Sequence, residues 1–362
     1  MDERLYWLWL AKGLGFASRH LNPLLEQTGG AEGAYRMRER LLAQGLVAPA
    51  QQKQLLASEP RQFAPQLEAH LQAGYTVLCY DAPQYPALLR EIFDPPAVLY
   101  AEGQVQWLSA ALPLAMVGTR RPSAYGVEAA RTLGKGLAGA GAVLVSGLAD
   151  GLDSEAHKAA LAAGTPTVAV LGTAIDRCYP ARNATLRGLI AKNGVILSEY
   201  PIGTTGSPNY FLLRNRIIAG LARGVIVTEA RRRSGTMSTV RFALEGGRDV
   251  FAVPGSIFSP LSEGTNWLLS QGAKAVQTAG DVLCDYGVKP PAETVAAGAG
   301  APPPLSAGAA AVYACLTAQP QPLAALCAAC GLLPGAAMAA LTELELAGLS
   351  CQLAGRLFVK NG

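Results

Sequence analysis

From about residue 112 onward the chain repeats one rhythm: an apolar run of four to six residues, a glycine-bounded break, then a helical pattern. LPLAMVG precedes a helix expected near 125–139, AVLVSG one near 153–163, and TVAVLG one near 181–192. VILSE precedes the helical RNRIIAGLA, GVIVTEA precedes a helix expected over about 236–246, and DVFAVPG closes the run before a short helix and KAV. Continuous apolar strands that alternate with helices indicate a parallel sheet covered on both faces. The expected fold is α/β, a Rossmann-like doubly wound parallel sheet over roughly 107–285.

The flanks read differently. Residues 1–74 carry short helical patterns (LYWLWLAKGL, NPLLEQTG, AYRMRERLLAQG, APAQQKQLLAS) separated by turn residues such as Gly15, Pro23 and Gly45. Residues 75–103 hold two short strands around Pro-rich turns, a connector expected to pack on the next domain. GVKPPAETVAAGAGAPPPLS, residues 286–305, has the Pro/Ala/Gly composition of a flexible linker. Over 306–362 three helical patterns precede a hairpin pattern, the order of a winged helix.

Charge adds a location. The net charge is +4 over 362 residues. By segment it is −2 over 1–106, +6 over 107–285 and 0 over 286–362. An anionic partner is therefore expected on the middle domain. Seven scattered cysteines, with no secretory signal pattern, read as reduced cytoplasmic thiols. No apolar run approaches the ~20 residues that span a membrane. Three distant histidines, His20, His70 and His157, speak against a multi-histidine metal site, and no cofactor motif is expected.

Ligands of open parallel sheets bind at the carboxyl ends of the strands. The first end offers Gly118, Thr119, Arg120 and Arg121; the second Ser146, Gly147, Gly151, Asp153 and His157; the third Gly172, Thr173 and Asp176. A later helix carries Arg214, Asn215 and Arg216, and the loop after GVIVTEA carries Arg231, Arg232, Arg233, Ser234, Gly235 and Thr236. The first loop, GTRRPSAYG, does not fit the dinucleotide pattern GxGxxG, and no GxxxxGK[ST] is present. Seven arginines exceed what one phosphate needs and suit a run of phosphates along a nucleic-acid strand. Plainer readings stand beside this. The triple arginine can be a solvated turn. Arg214 and Arg216 can pair with Glu229 or Asp249. Asp153 can be a helix N-cap with His157 structural, and Cys327 and Cys330 can be core residues.

MVGTRRPSAYG, VSGLADGLDSEAHKAAL, AVLGTAIDRCYPARN, FLLRNRIIAGLARGVIVTEARRRSGTMSTVRFALEGGRDVFAVPGS and EGTNWLLSQGAKAV resemble, in order, the motifs of the DNA-processing protein A (DprA/Smf) family. The resemblance covers about 75–285. It implies an extended Rossmann-like fold, preceded by a helical (SAM-like) domain over 1–74 and followed by a winged-helix domain over 306–362. It implies a cytoplasmic, dimeric, non-catalytic protein that binds single-stranded DNA and helps load the RecA recombinase on incoming DNA in natural transformation. It also implies dealings with single-strand-binding protein. Family basic residues beside the glycine loops hold DNA, which points here to Arg120 and Arg233. Leu213 stands where the family usually has Pro. The rival class is a phosphoribohydrolase-like nucleotide enzyme with a PGGxGTxxE signature. SGTMSTVRFALE keeps its Gly-Thr, but its acid comes only at Glu245.

The last domain carries a separate expectation. From residue 306 its basic residues are Arg356 and Lys360, against Glu343 and Glu345. PGAAMAALTELELAG has no Lys or Arg, so this helix is a poor DNA reader. A protein contact is expected instead, with Arg356 at the hairpin tip as a weak wing contact.

Overall fold

A computed structural model describes residues 1–43, 45–289, 305–317, 319–347, 349–353 and 357–360. The chain divides into two compact units, Met1–Pro291 and Ala292–Gly362. The first unit begins with α1 (Arg4–Leu14), α2 (Leu21–Thr28), α3 (Ala31–Arg36), α4 (Arg38–Ala43), α5 (Pro49–Leu56) and α6 (Ala64–Gln72). β1 (Thr76–Cys79), α7 (Ala87–Arg90) and β2 (Val98–Gly103) follow. The alternating region comprises β3 (Pro113–Val117), α8 (Ala124–Gly139), β4 (Val143–Ser146), α9 (Leu152–Ala162), β5 (Thr167–Leu171), α10 (Ala184–Asn193), β6 (Val195–Ser198) and α11 (Pro208–Gly220). It ends with β7 (Gly224–Val227), α12 (Thr236–Glu245), β8 (Asp249–Ala252), α13 (Glu263–Ser270), β9 (Lys274–Ala275) and α14 (Ala279–Asp285).

All nine strands join one sheet in the order β1-β2-β6-β5-β4-β3-β7-β8-β9. β3 to β9 run parallel. β2 is antiparallel to both β6 and β1. The segment 75–103 thus does more than pack on the next domain: it extends that domain's sheet, giving a Rossmann-like fold in extended form. The chain proceeds from β3 outward to β6, then returns to the other side of β3 for β7. That reversal leaves a crevice at the carboxyl ends of β3 and β7, where open α/β sheets bind ligands.

Burial follows the pleat. On one face Ala115, Val145 and Val225 pack under Ile217 and Ile218 of α11. On the other, Leu114, Met116 and Leu144 pack under Leu133 of α8 and Ala156 of α9. The N-terminal helices cover part of the same sheet: Trp7, Trp9 and Leu10 share a core with Val77, Tyr100, Leu171 and Ile196. The indole of Trp9 donates to the carbonyls of Leu55 and Ser58 at 3.2 and 3.1 Å.

α11 starts at Pro208, six residues before the RNR motif, because Pro presets φ and needs no donor in a first helical turn. The earlier start buries Arg214, Asn215 and Arg216. The Arg216 guanidinium donates to both oxygens of Glu199 at 2.6 Å and lies 3.6 Å from Asp94. Burial pushes the Glu199 and Asp94 carboxyls up, and the Arg216 charge opposes it. The partners differ from those expected. Glu229 is taken by Ser123, and Asp249 by Lys274 and Tyr286.

The second unit holds α15 (Ala307–Cys315), β10 (Gln321–Pro322), α16 (Leu323–Cys330), α17 (Pro334–Leu346), β11 (Ser350–Leu353) and β12 (Leu357–Lys360). Its sheet order is β10-β12-β11, and Val312, Leu326, Leu341, Leu344 and Phe358 form its core. This is a winged helix, with the short β10 added to the expected hairpin. Cys330 packs against that core, as read from the sequence. Most of the expected linker, residues 290–304, and Arg356 lie outside the described residues.

Among the described residues, no single helix is long and apolar enough to cross a membrane.

Removing one partner of a buried pair strands the other charge. Glu199→Ala is therefore expected to cost about 3–5 kcal/mol. Urea unfolding checks this, and Glu199→Leu combined with Arg216→Met should recover much of the loss.

Candidate functional site

Two loops face each other across the crevice. One follows β3 and carries Gly118 to Ser123. The other follows β7 and carries Thr228 to Gly235. Glu229 ties them: its carboxylate accepts the Ser123 N–H at 3.0 Å and the Ser123 hydroxyl at 2.6 Å. Its carbonyl accepts the Thr119 N–H at 2.8 Å. Ser123 in turn caps α8 by accepting from the Gly126 N–H. The Thr236 hydroxyl donates to the Gly118 carbonyl at 3.1 Å, which sets the start of α12 against the end of β3.

Between the loops lies a pocket of about 400 Å³. Gly118, Arg120, Arg214, Ser234, Gly235 and Thr236 line it, together with Thr119, Asp153 and Asn215, so the structure brings together nine of the residues singled out from the sequence. Among the described residues, the Ser234 hydroxyl has no hydrogen-bond partner, and the Gly235 and Thr236 amides donate to no group. Free donors beside a helix start and an arginine are an arrangement suited in chemistry to an anion such as phosphate.

Arg214 forms the floor. It donates to the carbonyls of Gly147, at 2.6 Å, and Val170, and to the Asn215 side chain at 3.2 Å. Asn215 continues to Ser238 on α12 at 2.8 Å. Burial lowers the Arg214 pKa to about 10; the Asp153 charge opposes this and Arg120 adds to it. Burial likewise pushes the Asp153 carboxyl up, against the pull of Arg214 and nearby backbone amides. Asp153 is not the N-cap: Gly151 holds that place and Asp153 lies in the first turn. A Cβ on Gly147 would sit 2.6 Å from both the Arg214 guanidinium and the Asp153 carboxylate. A Cβ on Gly118 would strike Leu152. Both glycines are therefore required by the packing of the pocket wall.

The other residues lie elsewhere. Arg121 is exposed on the loop after β3 but does not line the pocket. Arg216 is buried with its charge answered by Glu199, which leaves it no face for a ligand. Arg231, Arg232 and Arg233 are exposed and line a separate groove of about 1070 Å³ with Met237 and Trp267. Arg232 lies 5.2 Å over the Trp267 ring. Arg120, Arg121 and these three make no ion pair among the described residues.

Sequence reading passed over two aromatic side chains. Phe211 lines the pocket, Arg120 lies 5.8 Å over its ring, and Tyr179 stands 5.2 Å away with 55% exposure. FLLRNR contained the signal, an aromatic one helical turn before an arginine. Glu245, which the enzyme reading needs, sits at the far end of α12, pairs with Arg241 and lines the other groove. Among the described residues no cluster of three or more His, Cys, Asp or Glu could hold a metal.

The sequence profile of the family described as DNA recombination-mediator protein A matches residues 76–287, and that of the DprA winged helix domain matches 296–356. Over 232 residues the chain is 42% identical to DNA processing protein DprA of Bacillus subtilis (strain 168), covering 63% of this chain and 78% of that one. Its fold is similar to the X-ray structure of DNA processing protein A from Streptococcus pneumoniae, with TM-score 0.67 and 34% identity, over 78% of this chain and 97% of that one. It is also similar to DNA processing protein A from Helicobacter pylori, whose structure is described for a unique single-stranded DNA binding mode. There the TM-score is 0.54 at 34% identity, over 59% of this chain and 95% of that one.

His157, on α9 below Arg214, is fully buried, with Nδ1 2.8 Å from the Thr167 hydroxyl. Burial, with a smaller push from Arg214, lowers its pKa to about 3. A depressed folded pKa stabilises above the unfolded value of about 6.5, and this is lost as pH falls towards 3. Stability should fall by about 1.4 kcal/mol per pH unit across that window from this group alone. Urea unfolding at a series of pH values checks it: His157→Asn should remove that part of the slope.

Proposed function

The chain belongs to the DNA recombination-mediator protein A (DprA) family, and on that premise we propose that its crevice holds the backbone of single-stranded DNA. The carrying observation is the pocket: Arg120 and free donors from Ser234, Gly235 and Thr236 converge on a space with Phe211 at its wall. Phosphate against arginine and amides, with a base against an aromatic ring, is how single strands are held without a sequence code. Arg121 and Arg231 to Arg233, free of ion pairs, extend the positive field beyond the pocket. A stiff duplex presents no unstacked base to Phe211 or Tyr179, so single strands are favoured.

In this reading the protein holds a strand without cutting or modifying it. Residues 75–285 carry the DNA contacts. The N-terminal helices and the winged helix serve the fold or meet proteins, in keeping with a recognition helix that lacks Lys and Arg. As a cytoplasmic homodimer it hands incoming DNA to the RecA recombinase during natural transformation, displacing single-strand-binding protein.

Fluorescence anisotropy of labelled oligo-dT across a salt series tests the strand-holding step. Wild type should bind with a steep salt slope. Arg120→Ala should weaken binding at every salt concentration and reduce the slope by about 1. Replacing Arg231, Arg232 and Arg233 together by Ala should reduce the slope further if the strand continues past the pocket. A wild-type protein that retains no oligo-dT at low salt overturns the proposal.

A further inference from the structure

We propose that the loop after β8, residues 254–262, is a second base-stacking subsite of the same single-strand track, with Phe258 and Ile257 as its contact side chains. This deepens the preceding reading and rests on it.

Ile257 and Phe258 are 84% and 89% exposed, the most exposed large apolar side chains of the described chain. The loop that carries them is nonetheless built. The Ser259 N–H donates to the Ser256 carbonyl and the Ser262 N–H to the Ser259 carbonyl, each at 3.0 Å. The Phe258 N–H donates to the Ser256 hydroxyl at 3.2 Å. Asn266 clamps Gly255 from both sides, accepting its N–H at 3.2 Å and donating to its carbonyl at 3.0 Å. A hydrogen-bonded backbone that holds two adjacent apolar side chains out in water marks a contact surface rather than a frayed turn.

Its position identifies the occupant. β8 is parallel to β7, and β7 to β3, so this loop leaves the same sheet edge as the phosphate pocket. Its two ends are held beside the basic loops, one through the first turn of α8 and the other through the first turn of α13. The Tyr125 hydroxyl, just past Arg120 and Arg121, donates to the Pro254 carbonyl at 2.6 Å. The Gly264 N–H donates to the Ala230 carbonyl at 2.8 Å, immediately before Arg231. Tyr179 and Phe211 stand on the opposite side, next to the end of β5. From β5 to β8 the edge crosses four strand spacings, roughly 20 Å, a track several nucleotides long. Unpaired arginines lie along it, and aromatic side chains stand at each end. Glu263, at the start of α13 directly after the loop, is an exposed acid. A single strand satisfies both features at once, phosphates on the arginines and base faces on Phe258 and Ile257. An apolar protein partner would leave the arginines unanswered.

The test uses the full chain carrying Ile257→Ser and Phe258→Ala together. Both side chains are in solvent, and circular dichroism and urea unfolding confirm the fold. Anisotropy is measured with oligo-dT and with an abasic oligodeoxynucleotide of equal length. The variant should lose roughly five- to a hundredfold in affinity for oligo-dT, keep its affinity for the abasic strand, and keep the wild-type salt slope. Unchanged binding to oligo-dT overturns the subsite and leaves the loop to a protein partner or a second copy. An equal loss on both probes, with a shallower slope, also overturns it, because the loop would then act on phosphates. Failure of wild type on both probes overturns the strand-holding function itself, and the subsite with it.

Discussion

Arg214 donates into two strand ends at once, through the carbonyls of Gly147 and Val170, and passes its remaining charge towards Asp153. That buried cation is the part on which the crevice depends. It closes the gap between the ends of β4 and β5 and, through Asn215 and Ser238, fixes the start of α12. The pocket wall and the helix that starts at its edge therefore share one anchor. Taking an arginine out of water is costly unless its donors are met. Here two carbonyls, an amide oxygen and a nearby carboxylate meet them, so the guanidinium can stand under the pocket without collapsing it. Arg216, two residues on, points to Glu199 and performs the same service for the antiparallel side of the sheet. The two arginines of one motif thus serve different neighbours because successive helical positions face in different directions.

The alternating region was legible because its strands, the two-residue β9 apart, are mostly short apolar runs and each break carries glycine. Burial on both faces of a parallel sheet imposes that pattern locally. The place of residues 75–103 was not legible: nothing local tells a strand that packs beside a sheet from one that pairs with its edge. Pairing of β2 with β6 brings together residues about 95 apart in sequence. β10 escaped for a related reason, since two residues carry no period.

Within the site, residue type was easier to read than direction. GTRR, RNR and RRRSGT each presented cations. Only the fold shows that Arg120 enters the pocket, Arg214 lies beneath it, Arg216 is spent on Glu199, and Arg231 to Arg233 turn into a neighbouring groove. Glu229 and Asp249, the partners expected for Arg214 and Arg216, were reasonable by charge, but Glu229 lies under Ser123, where it braces the two loops. Phe211 and Tyr179 were missed because an aromatic residue in a helix or turn reads first as core. Their exposure beside Arg120 depends on the crevice that three separate segments build.

Phosphate recognition is the role proposed for this crevice, and every other proposed contact depends on it. The most direct measurement compares oligo-dT with an oligo-dT of equal length whose linkages are uncharged methylphosphonates, titrated at low and at moderate salt. Backbone recognition predicts that the neutral strand binds far more weakly and that its residual affinity hardly changes with salt. Equal affinity for the two strands would contradict it, and would place recognition in the bases rather than in the chain of phosphates.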